Sequence, residues 1–385
     1  MLILTDIYIL NTDYKIIGIV DNYSSAIFTR RYCEYGDFEL YIKANNKSLS
    51  LLQPDFYIKR NNDTYIYVIE SIQLTTSQED GDFLTVKGRS VESMLTRRIL
   101  YNHRNENLSQ PYTIGGFNVE YPTDTCKTIE DCIRNAIEMT IAPTDLNPYG
   151  VKWAWDGNFI LGERQGFSET MPQTQILGTY LYDFIVEQCQ NYGYGFRVQL
   201  NDDNKFEFNL YKGKDCSYNQ KENPYIVFSH QFDNLSNTNY LFDTTNYKNY
   251  GYSIGKADIE QERLWNGRPI KTTRNLNRVN RRELFIDSSS ISKEEKDVNG
   301  NNIIIPDNRY SMYVGNNAYN ELVKYPIVET LDGDIVSNNM KYNLGDIVQI
   351  ENEYGIQATA RILEIIDCED ESGYSTVPTF STWEV

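Results

Sequence analysis

Few residues in the chain are suited to chemistry. It has two histidines in 385 residues, His103 in the polar run "YNHRNENLSQ" and His230 at the end of an apolar stretch. Neither lies near a G-x-S-x-G or similar nucleophile motif. The cysteines Cys33, Cys126, Cys132, Cys189, Cys216 and Cys368 are scattered without a C-x-x-C, so their spacing offers no zinc site. They read as buried, reduced thiols of a protein assembled in cytoplasm. The acidic turns "QEDGD" and "ESGYS" lack the D-x-[DN]-x-[DN]-G spacing of a calcium loop. The Gly-x-Gly of "YGYGF" lacks the third glycine and the helix that would cradle a phosphate. The expectation is no catalytic residue, no cofactor and no metal.

Paired carboxylates beside aromatic residues are harder to set aside. "WAWDGNFILGE" brings Trp153, Trp155, Asp156 and Glu163 together, and a glycosidase needs two carboxylates across a sugar cleft. Two tryptophans at i and i+2 also share one side of a strand, and packing on the helix expected at Thr128–Met139 explains them as well. A carbohydrate-active or glycan-binding protein, such as a cell-wall hydrolase, built on Trp153–Glu163 is therefore the alternative reading. The pairs Arg30–Arg31 and Arg97–Arg98 suit neighbouring carboxylates better than nucleic acid.

Charge points the same way. The formal net charge is −18, whereas a nucleic-acid binder concentrates Lys and Arg along a groove. Residues 1–100 hold 13 acids against 11 bases, while 331–385 hold 11 against 2, so the acidity gathers towards the C-terminal end. The start "MLILTDIYIL" alternates like a strand and lacks a basic leader, and no run of about eighteen apolar residues occurs, so no membrane partner is expected.

The elements that must position these residues are mostly strands, since 31 Tyr and 16 Phe stand among many Val, Ile, Thr and Asn. Seven strand-like runs fill 1–98, from "LILTDIYIL" to "DFLTVKGR", with Asn/Asp turns and the Asp-Gly of a hairpin. They suggest a closed or nearly closed antiparallel barrel. Helical spacing follows in "SVESMLTRR" and "TIEDCIRNAIEM", and again over about Thr174–Tyr192 with Gly193 as its stop. Residues 99–192 thus read as an α/β domain. From Gly193 the strands return. "VDNYSSAIFTRRY" is echoed by "FDNLSNTNYLFDT", with "YGYSIG" where "FELYI" stood. The stretch from Asp55 through "VIESI" is echoed from Asp346 through "ILEII". The expected equivalences are Asp21 with Asp233 and Glu70 with Glu364. One barrel used twice gives a first copy at 1–98 and a second at 193–255 and 338–385, with 256–337 inserted as a further domain that includes a helix near "NNAYNELVKY". The fold class is α+β and β-rich, two antiparallel barrels with α/β insert domains. Three such chains would present six barrels and could join a sixfold tube to a threefold object.

"RRYCEYGDFELYIKA", "VIESIQLTTSQEDGDFLTVKGRSVESMLTRRI" and "YNLGDIVQIENEYGIQATARILEI" resemble the tail-hub proteins of long-tailed, siphovirus-type phages. These are similar in turn to the baseplate hub of contractile tails and to the N-terminal module of tail-associated lysins. The resemblance spans nearly the whole chain and is most specific over Tyr32–Ile99. It implies a structural virion protein at the tail tip, assembled in the host cytoplasm: a homotrimeric hub with tail-tube-like barrels that gates the DNA channel during host attachment. Its implied partners are the distal tail ring, other tail-tip or baseplate proteins and the tape measure protein, with DNA only in transit. Lysins of this family continue into a hydrolase, whereas this sequence stops at Val385, so enzymatic activity is not expected. Carboxylates lining such a channel would repel DNA, which nominates Asp346, Glu351, Glu353 and Glu364, together with Asp367, Glu369, Asp370 and Glu371. Alternation along one strand should keep Glu351 and Glu353 on the same side.

Overall fold

The computed structural model describes residues 5–61, 63–78, 81–100, 112–114, 128–141, 159–171, 174–176, 178–256, 260–263, 280–296, 301–336 and 341–381. The chain divides into two compact units, one formed by Met1–Ser236 with Asp334–Ser381 and the other by Asn237–Gly333.

The first unit opens with seven strands: β1 (Ile7–Leu10), β2 (Ile16–Val20), β3 (Ser25–Arg31), β4 (Asp37–Lys43), β5 (Tyr57–Arg60), β6 (Ile66–Ser77) and β7 (Gly81–Ser90). Alternation drives them, as in β4, where Phe38, Leu40 and Ile42 are buried and the residues between them are not. A short helix, α1 (Asn46–Leu51), is started by a capping box in which the side chains of Asn45 and Ser48 each accept the other's backbone N–H. Phe28, Phe38 and Tyr67 meet in the core, with the two phenylalanine rings 5.9 Å apart.

"SVESMLTRR" forms a 3-10 turn over Val91–Arg97. There follow β8 (Tyr112–Ile114), α2 (Ile129–Thr140), β9 (Phe159–Leu161), β10 (Thr174–Ile176), α3 (Leu181–Tyr192), β11 (Gly195–Leu200), β12 (Phe206–Tyr211) and β13 (Val227–Ser229). The expected helix from Thr174 starts seven residues later, because Thr174–Ile176 pairs with β8 and Gly178 turns the chain at φ 70°. It ends as its spacing indicates, at left-handed Gly193. Ile133 and Ile137 of α2 and Phe184 and Ile185 of α3 share one core with Phe196, Phe206 and Phe208.

The second unit holds most of β14 (Leu235–Asp243), then β15 (Tyr250–Ile254), β16 (Glu260–Arg263), β17 (Glu283–Asp287), β18 (Glu294–Lys296), β19 (Asn302–Ile304), α4 (Asp307–Leu322) and most of β20 (Val328–Ile335). "YGYSIG", expected to pair beside the echoed strand, instead joins β16 and β17, while β14 pairs with β20. Pairing with β17 seats β15 under α4, where a Cβ on Gly255 would lie 2.6 Å from Val314, so the bare backbone there admits the helix. Helix α4 begins nine residues before the expected "NNAYNELVKY" and buries Tyr310, Val314, Ala318 and Leu322.

The chain returns to the first unit with β21 (Ile347–Glu351), β22 (Gln357–Asp370) and β23 (Gly373–Phe380). The two separate barrels expected from the repeat are not closed barrels among the described residues. One open sheet of eleven strands runs β13-β21-β22-β3-β4-β7-β6-β5-β1-β2, with β23 also on β22. The reason lies in β3: β4 takes one edge and β22 the other, so no edge is left to close on β2.

The hairpins β5-β6-β7 and β21-β22-β23 share fine detail. Asp55 and Gly345 both adopt left-handed backbone, at φ 65° and 86°. Asp55 N–H donates to Ile69 O as Gly345 N–H donates to Ile362 O, and Ile69 and Ile362 return the bond to Phe56 O and Asp346 O. Each long strand then carries one extra residue, Glu70 in β6 and Leu363 in β22. Counted from these bulges, Glu364 matches Ser71 rather than Glu70, because Glu70 is itself the extra residue of β6 whereas Glu364 follows the extra residue of β22. Asp21 and Asp233 differ locally, only Asp233 being left-handed, at φ 53°.

Tyr32 pins this unit together. Its hydroxyl donates to Gly193 O at 3.0 Å and accepts from Gly213 N–H at 3.1 Å, and its N–H donates to Leu363 O. A Cβ on Gly195 or Gly345 would lie 2.3 or 2.1 Å from its ring. Gly345→Ala should therefore lower stability by about 2–4 kcal/mol, combining left-handed strain with overpacking. Gly355→Ala, at φ 76° with open space around it, should cost about 1 kcal/mol from backbone strain alone. Urea unfolding midpoints at unchanged slope measure both, and equal losses would refute the cradle.

Candidate functional site

The seam between β3 and β22 is the most elaborate polar site in the described structure. The strands pair antiparallel from Glu364 opposite Arg31 to Asp370 opposite Ser25. The carboxylate of Asp367 is almost fully buried, and four groups reach it: Arg30 at 2.8 Å, Arg60 at 2.7 Å, the Tyr374 hydroxyl at 2.8 Å and the Thr376 hydroxyl at 2.9 Å. Arg60 also pairs with Asp63 at 2.6 Å. One residue row away, Arg31 bridges Asp37 and Glu364, each at 2.6 Å. Farther along, Glu369 accepts from the Thr5 N–H at 2.8 Å and from the Tyr23 hydroxyl at 2.9 Å.

Burial opposes ionisation of Asp367, but Arg30 and Arg60 outweigh it and hold its carboxyl below the usual aspartate range. Burial and the bond to Glu369 push the Tyr23 hydroxyl up, so it stays a donor. A buried carboxylate is tolerated only when its partners are in place, which makes the network specific to this register. A slip by one residue would turn Asp367 to the opposite face, away from both arginines.

The residues singled out in the sequence scatter. Asp346 is buried beside β21 and accepts from the Lys214 and Asn343 N–H groups. Glu364 belongs to the seam, and Glu70 pairs with Arg89 on the exposed side of β6. Glu351 ends β21, but Glu353 lies in the turn before left-handed Gly355, so strand alternation does not tie the two together. Asp370 and Glu371 are exposed at the β22–β23 turn. Arg30 and Arg31 do bind carboxylates, whereas Arg60 and the buried role of Asp367 were not legible, because only the fold brings them together.

His103, Cys126, Trp153, Trp155 and Asp156 lie outside the described residues. His230 is exposed, and Glu163 is exposed in the loop after β9. That loop is held instead by buried Glu130, whose carboxylate accepts the N–H groups of Gln165, Gly166 and Phe167. Burial pushes the Cys33 thiol up to about 11, away from thiolate chemistry. No group of three His, Cys, Asp or Glu side chains is placed to hold a metal ion among the described residues.

A family model described as Siphovirus ReqiPepy6 Gp37-like protein matches residues 6–380. Among solved structures the chain is similar to the tail protein from Neisseria meningitidis MC58, with a TM-score of 0.53 and 11% identity over 99% of this chain and 97% of that one. It is also similar to the 43 kDa tail protein of prophage MuSo2 from Shewanella oneidensis, with a TM-score of 0.51 and 11% identity over 98% of each. At such identities the likeness is one of fold. No curated protein sequence matches the chain.

Asp367→Asn leaves Arg30 and Arg60 facing each other without their shared counter-charge, and should cost about 3 kcal/mol. Because the folded carboxyl titrates below its unfolded value of about 3.9, its stabilisation is complete above that pH and is lost as pH falls through the folded value. The stability gap between wild type and Asp367→Asn should thus shrink as pH is lowered below about 4. Unfolding measured across that window checks it, and a gap constant down to the acid limit would count against the ion pairs.

Proposed function

Because the chain belongs to the siphovirus ReqiPepy6 Gp37-like protein family and is a phage tail-type structural protein, we propose that it is the trimeric hub at the tail tip. The observation that carries this reading is the shared hairpin unit. One chain holds β5-β6-β7 and β21-β22-β23 with matching turn, bulge and backbone bonds, joined in one sheet through β3.

Three chains then offer six copies of one unit, which meets a sixfold tail tube and distal tail ring while keeping a threefold tip. The hairpins β5-β6-β7 and β21-β22-β23, with the strands that flank them in the eleven-stranded sheet, serve as the two tube-like modules, and 99–192 and the unit Asn237–Gly333 as the domains inserted between and within them. Other tail-tip or baseplate proteins and the tape measure protein are its neighbours in the virion. The role is mechanical rather than enzymatic: the ring gates a channel through which DNA passes on host attachment.

Acids consumed by the seam and by β21 cannot also line a lumen, which removes Asp346, Glu364, Asp367 and Glu369 from that role. Glu351, Glu353, Asp370 and Glu371 keep enough exposure to face the channel, where they would repel the DNA polyanion.

Mass measurement of the purified chain at high concentration, and of assembled tails, should find three copies; a hub present as any other number would sink the reading. Replacing Glu351 and Glu353 by Lys should slow DNA ejection at low salt and recover at high salt, as phosphate binding is screened. Unchanged low-salt ejection from particles shown to contain the variant would return these acids to a solvating role.

A further inference from the structure

The two long bulged strands of the repeat have differently treated edges. Along β22 the edge beyond Leu363 takes β3, over Glu364–Asp370. Along β6 the corresponding edge, beyond the pairing with β5 that ends at Val68, takes no strand among the described residues, while the opposite edge pairs with β7 throughout. Burial follows this difference. Counted from the bulges, Leu74 matches Asp367; Asp367 is 1% exposed beneath β3, and Leu74 is 49% exposed.

Strand β14 presents the complement. The Asp-Asn-x-Ser at Asp233–Ser236 matches the one at Asp21–Ser24 that leads into β3, and carrying this alignment forward sets Tyr240 at the place of Phe28 and Phe242 at that of Arg30. Phe28 is buried in the sheet, whereas Tyr240 and Phe242 are 38% and 54% exposed, and β20 is the one strand paired with β14 among the described residues. Each chain therefore makes one such junction internally and keeps one open edge and one adding strand of a second. An open edge with apolar side chains is a template for strand addition.

We propose that β14 of one copy adds to the open edge of β6 in a second copy. The strands run antiparallel, with Ser71 opposite Asp243, Ile72 opposite Phe242, Gln73 opposite Leu241 and Leu74 opposite Tyr240. The register is transferred from β22 and β3, where Glu364 faces Arg31 and Asp367 faces Phe28. It gathers Ile72, Leu74, Tyr240 and Phe242 on one face as aliphatic–aromatic cross-strand pairs. Shifted by one residue, the pairing would set Glu70 against Asp243 and turn both aromatic rings to the side of Ser71 and Gln73. A second copy is the fitting occupant because a head-to-tail contact repeats from chain to chain until it closes into a ring. The inference rests on the ring proposed above and specifies which strands meet in it.

Cysteine cross-linking of the full chain tests the register, since directly opposed side chains lie within disulfide reach and those one residue out of register point to opposite faces. Leu74→Cys with Tyr240→Cys should give covalent dimers and trimers under mild oxidation. The yield should exceed that of Leu74→Cys with Leu241→Cys by about tenfold or more, and single-cysteine variants account for the native thiols. Mass measurement of the wild type under the same conditions reports the ring separately. A wild-type ring with no cross-link, or with a disulfide inside one chain, overturns the strand pairing and leaves the ring standing. A wild type that is monomeric at the highest concentration and in assembled tails overturns both.

Discussion

A sheet edge must be paired, covered or made unattractive to other strands, and the structure is arranged around how one edge is paired. The outer edge of β3 meets β22, and the buried carboxylate of Asp367 meets Arg30 and Arg60 there. Backbone pairing alone would tolerate several registers. The carboxylate does not, because any shift buries a charge without its partners. That constraint makes the two ends of the chain one sheet rather than two barrels.

Packing around Tyr32 adds a second kind of definition. Its ring fills the space that side chains at positions 195 and 345 would otherwise occupy, and its hydroxyl is shared between the backbones at Gly193 and Gly213. The residue after the last of β3 thus fixes where β11, the turn after β12 and the approach to β21 must lie. Ionic partners set the register of the seam, and an aromatic ring among glycines sets the depth at which the neighbouring segments sit.

Much of this was legible in the sequence wherever the signal was local. Alternation located β3, β4, β6 and β7, and the capping Thr128 with its apolar stripe located α2. The left-handed Gly193 that ends α3 was also visible, although the start of that helix was obscured by a short strand. What escaped were features decided by distant partners. "YGYSIG" has the spacing of a strand but nothing that says it will pair with β17 rather than β14. The repeat was readable as a pattern, yet its alignment slipped by one because a bulge leaves no letter of its own: Glu70 is the extra residue, whereas Glu364 follows one. Asp367 read as one of the channel-lining carboxylates until the fold set two arginines beside it.

The seam also has a history in the making of the chain. Arg30 and Asp367 are separated by 337 positions, so all of the chain between them must leave the ribosome before β3 finds its partner. Loop closure on that scale is slow compared with local hairpins. During the interval β3 offers an unprotected edge with Phe28 and Ile27 beside it, the kind of surface on which nascent chains aggregate. The same separation means that a product truncated before Gln357 lacks β22 and cannot hide the edge.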